Sequence, residues 1–373
     1  MSSSGGGTRA IESGGHPVWR RLLLAQESGL ILVIVLMMIA LSIFSHPIPS
    51  RHLDPETGQW VTTTVNAFFN TQNLVLVATQ ASYTAIMAVG MTAIIVLGGI
   101  DLSVGSIYAV SAIVGAIALR ALEQGAGDAG AGAAVSIAVG LGVCVLTGMA
   151  CGVANGAMVV GLRVHPFIIT LGTMAALRGV AFIMTKGQSV SGLPTSFVAG
   201  FMKLPLTIGA KGSLAVYPVP VVIMGLVAMA GHFVLTRTVP GRQTFAIGGN
   251  ETAAKYAGIG VGYVKVLVFA VMGALAGLSA AVYIGYYGAA TSAAGTGDEL
   301  TVIAASVIGG ASLSGGRGSA LGAVLGAVLI QLITNAMIIL SIDTNYTQVV
   351  MGAAIVIAVV LDQLKTRLMP TGR

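Results

Sequence analysis

Residues 74 to 97 run the length of a membrane-crossing helix without one charged side chain, and similar stretches recur down the chain. A helix needs about 20 apolar residues to cross a hydrocarbon layer of about 30 Å. The composition agrees. Only 8% of residues are charged, 55% are hydrophobic and the mean hydropathy is +0.93, whereas a soluble domain carries roughly 25% charged residues. The apolar runs are continuous rather than alternating, which selects helices over a transmembrane barrel. The expected fold class is therefore an all-α polytopic membrane protein. Its 52 Gly suit helix packing in lipid, where small side chains let backbones approach.

In order, the chain divides into a polar leader over 1–27, read as disordered, a transmembrane domain over 28–362 and a tail over 363–373. Spans are expected near 28–44, 74–97, 102–119, the stretch ending at 160, 167–184, 217–235, 264–286, 300–311, 319–340 and 346–361. That gives about ten crossings, although the run at 300–311 is too short to span unaided. Arg9, Arg20 and Arg21 in the leader, with Lys365, Arg367 and Arg373 in the tail, put both termini in the cytoplasm by the positive-inside rule. Segments 45–72 and 185–214 then fall outside, as does the acidic pair Asp298-Glu299. Segment 237–262, with Arg237, Arg242, Glu251 and Lys255, is expected as a cytoplasmic loop. The net charge of +6 is scattered over loops and ends, so topology explains it better than nucleic-acid binding.

Within this pattern one break stands out. Gly98-Gly99-Ile100-Asp101-Leu102-Ser103-Val104-Gly105 separates two apolar runs and returns as Gly309-Gly310-Ala311-Ser312-Leu313-Ser314-Gly315-Gly316. At the offset that pairs Gly98 with Gly309, identities extend into the flanking runs, which marks an internal repeat. Unwound backbone in hydrocarbon must be buried in protein or line an aqueous cavity, so paired breaks point to a translocation path. The candidate path residues are Gly98, Gly99, Asp101, Ser103, Gly105, Gly309, Gly310, Ser312 and Ser314.

Asp101 has two readings. An acid at membrane depth is a candidate contact for cargo or a coupling ion, and an Asp before a helix is a good N-cap. Its counterpart Ser312 also caps well, which favours the second reading without excluding the first. Arg178, inside the fifth run, either snorkels, pairs with Asp101 or faces the path. Asn155 and Asn335 in apolar runs suit interhelical hydrogen bonds. Cys144 and Cys151 lie seven apart on one helical face and read as buried small side chains, not a disulfide. His165 and His232 stand alone, so no metal site is expected. No catalytic constellation, cofactor motif or P-loop is present in the sequence.

Five stretches in one order resemble the permease subunits of bacterial ABC importers for monosaccharides. They are the break at 98–105, Pro166 to Thr173 with Arg178-Gly179, Gly187-Gln188 with Ser191 to Pro194, Gly241-Arg242 with Ala246 to Glu251 and Ala257 to Ile259, and Gly309 to Ser319. The resemblance spans about 73–362. It implies a channel-forming transport subunit that is not itself an enzyme, in the bacterial inner membrane. It also implies a second permease copy, cytoplasmic ABC ATPase subunits and a periplasmic sugar-binding protein as partners. The segment bearing Gly241, Arg242, Gly248, Gly249, Asn250, Glu251 and Gly258 is similar to the loop through which such permeases dock on the ATPase, with Thr252 where Ala is usual. The resemblance leaves autoinducer-2, a polyol or an amino acid as alternative cargo. An ion-coupled secondary transporter is the rival mechanism, since it too would use broken helices.

Overall fold

The computed structural model describes residues 26–53, 59–127, 130–208 and 214–343, with scattered helical positions between 346 and 360. Most of the leader, all of the tail and part of the tenth expected span lie outside the described residues. Eight described helices are long and apolar enough to cross a membrane. These are α1 (Gln26–Phe44), α2 (Thr71–Val96), α3 (Val104–Ala126), α4 (Ala133–Leu162), α5 (Pro166–Thr185), α6 (Val219–Arg237), α9 (Val261–Tyr287) and α11 (Ala320–Ile339).

The remaining elements correct the sequence reading. Segment 45–72 is not a plain loop, because Pro47–Leu53 (β1) pairs antiparallel with Trp60–Asn66 (β2). A second hairpin, Leu206–Ile208 (β3) with Leu214–Val216 (β4), stands in the 185–214 connection. Segment 237–262 is largely helical, as α7 (Val239–Gly249) and α8 (Glu251–Tyr256). Thr238 and Asn250 start these helices by accepting the Gly241 and Ala253 amides, the usual side-chain solution for an orphan first turn. Helix α3 continues to Ala126, past the expected end near 119. The run at 300–311 is helix α10 (Asp298–Ile308), which at 11 residues is shorter than the helices long enough to cross a membrane.

The bundle is built around α4 against α9, the most extensive helix pair. On α4, Gly148, Gly152 and Gly156 touch backbone of Gly273, Phe269 and Val266 in turn, so the two helices run antiparallel. Lipid offers no hydrophobic drive for this contact, so close van der Waals packing between small residues must hold it. Cys144 belongs to the same stripe, buried between Gly115 and the Gly277 backbone, while Cys151 is half-buried and both thiols are free. Helix α2 lies on the other side of α9, with Ser279 donating to the Tyr83 carbonyl at 2.9 Å. Helix α10 lies on α2 through Ser306, which donates to the Ala88 carbonyl at 3.0 Å. Asn335 and Asn73 donate to each other's carbonyls at 2.7 and 3.1 Å, joining α11 to α2.

Candidate functional site

The first break begins as a helix stop. At the end of α2, Gly98 N–H reaches the Ile95 carbonyl and Gly99 N–H the Ile94 carbonyl, both at 2.9 Å. Gly98 takes φ of +87°, a left-handed conformation that side chains with a Cβ resist. Beyond it the chain leaves the helix until the turn at Leu102-Ser103, and α5 bonds to its backbone. The Thr170 hydroxyl accepts from Leu102 N–H at 3.1 Å and lies 3.3 Å from the Ile100 carbonyl, to which it donates. Pro166 closes on Gly99. The break is thus backed by α5 on one side, while Gly98 itself is exposed, so its backbone is either paired with protein or borders a cavity, the two settings a membrane permits.

Asp101 is fully buried. Its Oδ1 accepts the Ser103 amide at 2.8 Å and the Ser103 hydroxyl at 2.6 Å, while Asn155 Nδ2 donates to Ser103 Oγ at 2.7 Å. One oxygen therefore orders the approach to α3, which starts at Val104 rather than Leu102. The other, Oδ2, meets no protein donor. Asn155 forms the interhelical bond its type suggested. Replacing Asp101 by Asn keeps an acceptor at Oδ1, so the purified protein should unfold near the wild-type temperature. Asp101→Ala should lose about 1 kcal/mol. Equal loss in both variants, read by thermal unfolding in detergent, would assign the effect to charge rather than to the turn.

The second break repeats the helix stop with a shift in register. Gly310, not Gly309, holds the left-handed position with φ of +96°, and its N–H reaches the Val307 carbonyl at 2.9 Å. Ala311 N–H closes on the Ser306 carbonyl at 2.9 Å. Gly310 is therefore the counterpart of Gly98, one residue later than the sequence offset. After it the two breaks diverge. Ser312 is buried in a turn whose amide bonds to the Arg317 carbonyl, and Ser319 caps α11 by accepting the Gly322 amide at 3.2 Å. Ser312 is not the helix cap its alignment with Asp101 implied. Ser314 is exposed.

Helix α7 joins the breaks. Gly248 lies on the Val96 carbonyl at the end of α2 and on the Gly316 amide of the second break, while Gly316 N–H donates to that same Val96 carbonyl at 2.8 Å. Gly249 packs on Gly316. Gly241 sits against the Val234 and Leu235 carbonyls, turning α7 back under α6, and Arg242 is exposed. Glu251 on α8 accepts from Lys265 at 2.9 Å and lies 3.6 Å from Lys255. The Lys265 hydrogen bond holds the Glu251 carboxyl below its ordinary range, so the pair persists at neutral pH and is lost on acidification through that lowered value. Gly258, with φ of +80°, ends the turn after α8. A cavity of about 690 Å³ opens between α8 and the first break, lined by Gly98, Gly99, Arg163, His165, Glu251 and Lys255 among others.

Arg178 does not pair with Asp101. It donates to the Ser292 and Ala294 carbonyls at 2.9 and 2.6 Å, pinning the chain between α9 and α10. Thr170 and the Asp298-Glu299 pair were not singled out as site residues from sequence. Thr170 lay within the Pro166–Thr173 motif, and nothing local marked the acids as internal. Isolated His165 accepts the Phe167 amide at the start of α5, and among the described residues no group of metal ligands forms.

Comparison with known proteins agrees with this architecture. Residues 73–359 match the family described as branched-chain amino acid transport system / permease component. The chain is 37% identical over 301 residues to the ribose import permease protein of Escherichia coli (strain K12), covering 80% of this chain and 88% of that protein. It is 38% identical over 297 residues to the D-allose transport system permease protein of the same strain, with 80% and 85% covered. With the galactose/methyl galactoside import permease protein of that strain it shares 31% over 340 residues, covering 91% and 95%. No solved structure matches. With a family match over most of its length and relatives above the level at which chance likeness is a concern, the chain belongs to this family of multi-pass membrane permease components.

Proposed function

We propose that the chain is the membrane-spanning subunit of an ATP-driven importer that moves a monosaccharide across the bacterial inner membrane. A periplasmic binding protein delivers the sugar, a second permease copy completes the channel, and separate cytoplasmic ABC ATPase subunits supply the energy. The observation that carries this reading is the seat of Gly248 on both the Val96 carbonyl and the Gly316 amide. A short helix pair outside the spans, resting on both helix breaks at once, is the geometry needed to pass an ATPase movement into the path. Relatives named for ribose, allose and galactose transport support the sugar class. The end bearing α7 and α8 is then cytoplasmic, as are both termini. The chain itself would carry out no hydrolysis.

The test is reconstitution in liposomes with an ABC ATPase and a periplasmic sugar-binding protein from the same organism. ATP inside the coupled compartment should drive uptake of one or more of ribose, allose, galactose and xylose. Uptake driven by an ion gradient without any ATPase would replace this reading with secondary transport. In the same preparation, Glu251→Ala combined with Gly258→Leu should abolish co-purification of the ATPase while membrane insertion is unchanged. Undiminished co-purification would remove α8 from the docking role.

A further inference from the structure

The acidic pair at the start of α10 is half-buried, with Glu299 turned onto the first turn of α3. The chain descends from the end of α9 so that the Gly295 carbonyl and Glu299 Oε2 both press on Gly105, in the first turn of α3. A carboxylate beside an internal helix start is costly unless it is paired or serves a path. Arg178 does not neutralise it by contact. Its guanidinium donates to the Ser292 and Ala294 carbonyls, and ion pairs among the described residues form only at Glu251. Glu299 Oε2 is shielded from solvent and receives no protein hydrogen bond.

A second orphan stands at the other end of a tyrosine strip. Gly295 abuts Tyr108, the Tyr108 ring lies 5.6 Å from Tyr283, and Tyr283 lies 6.1 Å from Tyr83 and 4.8 Å from Tyr287. Tyrosines often mark the membrane interface, where their hydroxyls reach water. Here Tyr108 is only 3% exposed, and the Tyr83 hydroxyl is shielded without a hydrogen-bond partner. Buried polar atoms are normally satisfied, and each exception calls for a missing partner. Ring faces flanked by hydrogen-bonding groups are the chemistry that holds a polyhydroxylated ring, with C–H faces on the aromatics and hydroxyls on the polar atoms.

We propose that Glu299 and Tyr83, with the ring faces of Tyr108, Tyr283 and Tyr287 between them, form a transit site for the sugar inside the permease. Glu299 accepts hydrogen bonds from its hydroxyls and Tyr83 offers a hydroxyl at the far end. Arg178 is a positioning residue that holds the 288–297 chain so that Glu299 faces α3. The site rests on the importer reading, and the test keeps the two apart.

The complex is reconstituted with its ATPase and binding protein, and uptake is measured for whichever of ribose, allose, galactose and xylose the wild type carries best. Glu299→Gln should lower uptake about tenfold, the worth of a charge-assisted hydrogen bond, while ATP hydrolysis stimulated by the loaded binding protein continues. Tyr83→Phe removes a hydroxyl with no protein partner, so it should leave thermal unfolding unchanged and still slow uptake severalfold. It therefore decides the matter even where Glu299→Gln does not fold. Wild-type uptake by Tyr83→Phe and by every folded Glu299→Gln preparation overturns the transit site. Absence of ATP-dependent uptake in the wild type overturns the importer reading on which it rests.

Discussion

A Gly277→Val chain is expected to insert in the membrane and fail to form the folded bundle. Gly277 packs directly on the Cys144 carbonyl, and on α4 Gly148 presses on the Gly277 backbone in turn. A branched side chain there meets backbone rather than a side chain that could rotate away. Moving α4 outward would also open the contacts of Gly152 and Gly156 along the same seam. Overpacking in a filled core costs about 1–3 kcal/mol and occasionally more, and a backbone obstacle puts this site at the upper end. Limited proteolysis and size-exclusion profiles in detergent should show a broad, aggregating species. Gly172→Val offers the control, since nothing lies within 4 Å of a Cβ at that position, and it should remain monodisperse.

Much of this architecture was legible because bilayer physics writes it into composition. Long uncharged runs gave the spans, and Gly-Gly pairs gave the places where helices stop. Other features depend on tertiary contacts that leave no local mark. Either glycine of Gly309-Gly310 could take the left-handed position, and only the closure onto Ser306 and Val307 selects Gly310. The α7–α8 pair is polar and short, so its residues read as loop until the caps at Thr238 and Asn250 are seen. Asp298-Glu299 looked like the edge of an outside loop because two adjacent acids usually sit in water. Their half-buried position follows from the descent of 288–297 onto Gly105, which Arg178 secures from another helix. Asp101 reads from sequence as a helix N-cap or a contact for cargo, but the N-cap position of α3 is Ser103, and Asp101 instead orders Ser103 through Oδ1 and leaves Oδ2 over.

The repeat is accordingly best understood as two similar helix stops with different continuations. The first returns to helix within a few residues under Asp101, Ser103 and Thr170. The second runs through a glycine turn that reaches the end of α2 before Ser319 starts α11. Their meeting point is Gly248, and a side chain there would separate α7 from both.

The most direct measurement of this arrangement is made on Gly248→Val in liposomes with its ATPase and binding protein, recording ATP hydrolysis and sugar uptake together. The Cβ would fall on the Val96 carbonyl and displace the Gly316 amide, so α7 should remain available to the ATPase while its seat on the breaks is lost. The expected result is continued ATP hydrolysis with uptake reduced at least tenfold, the scale of a lost buried contact worth about 1.4 kcal/mol or more. Uptake at the wild-type rate per ATP hydrolysed would contradict the account.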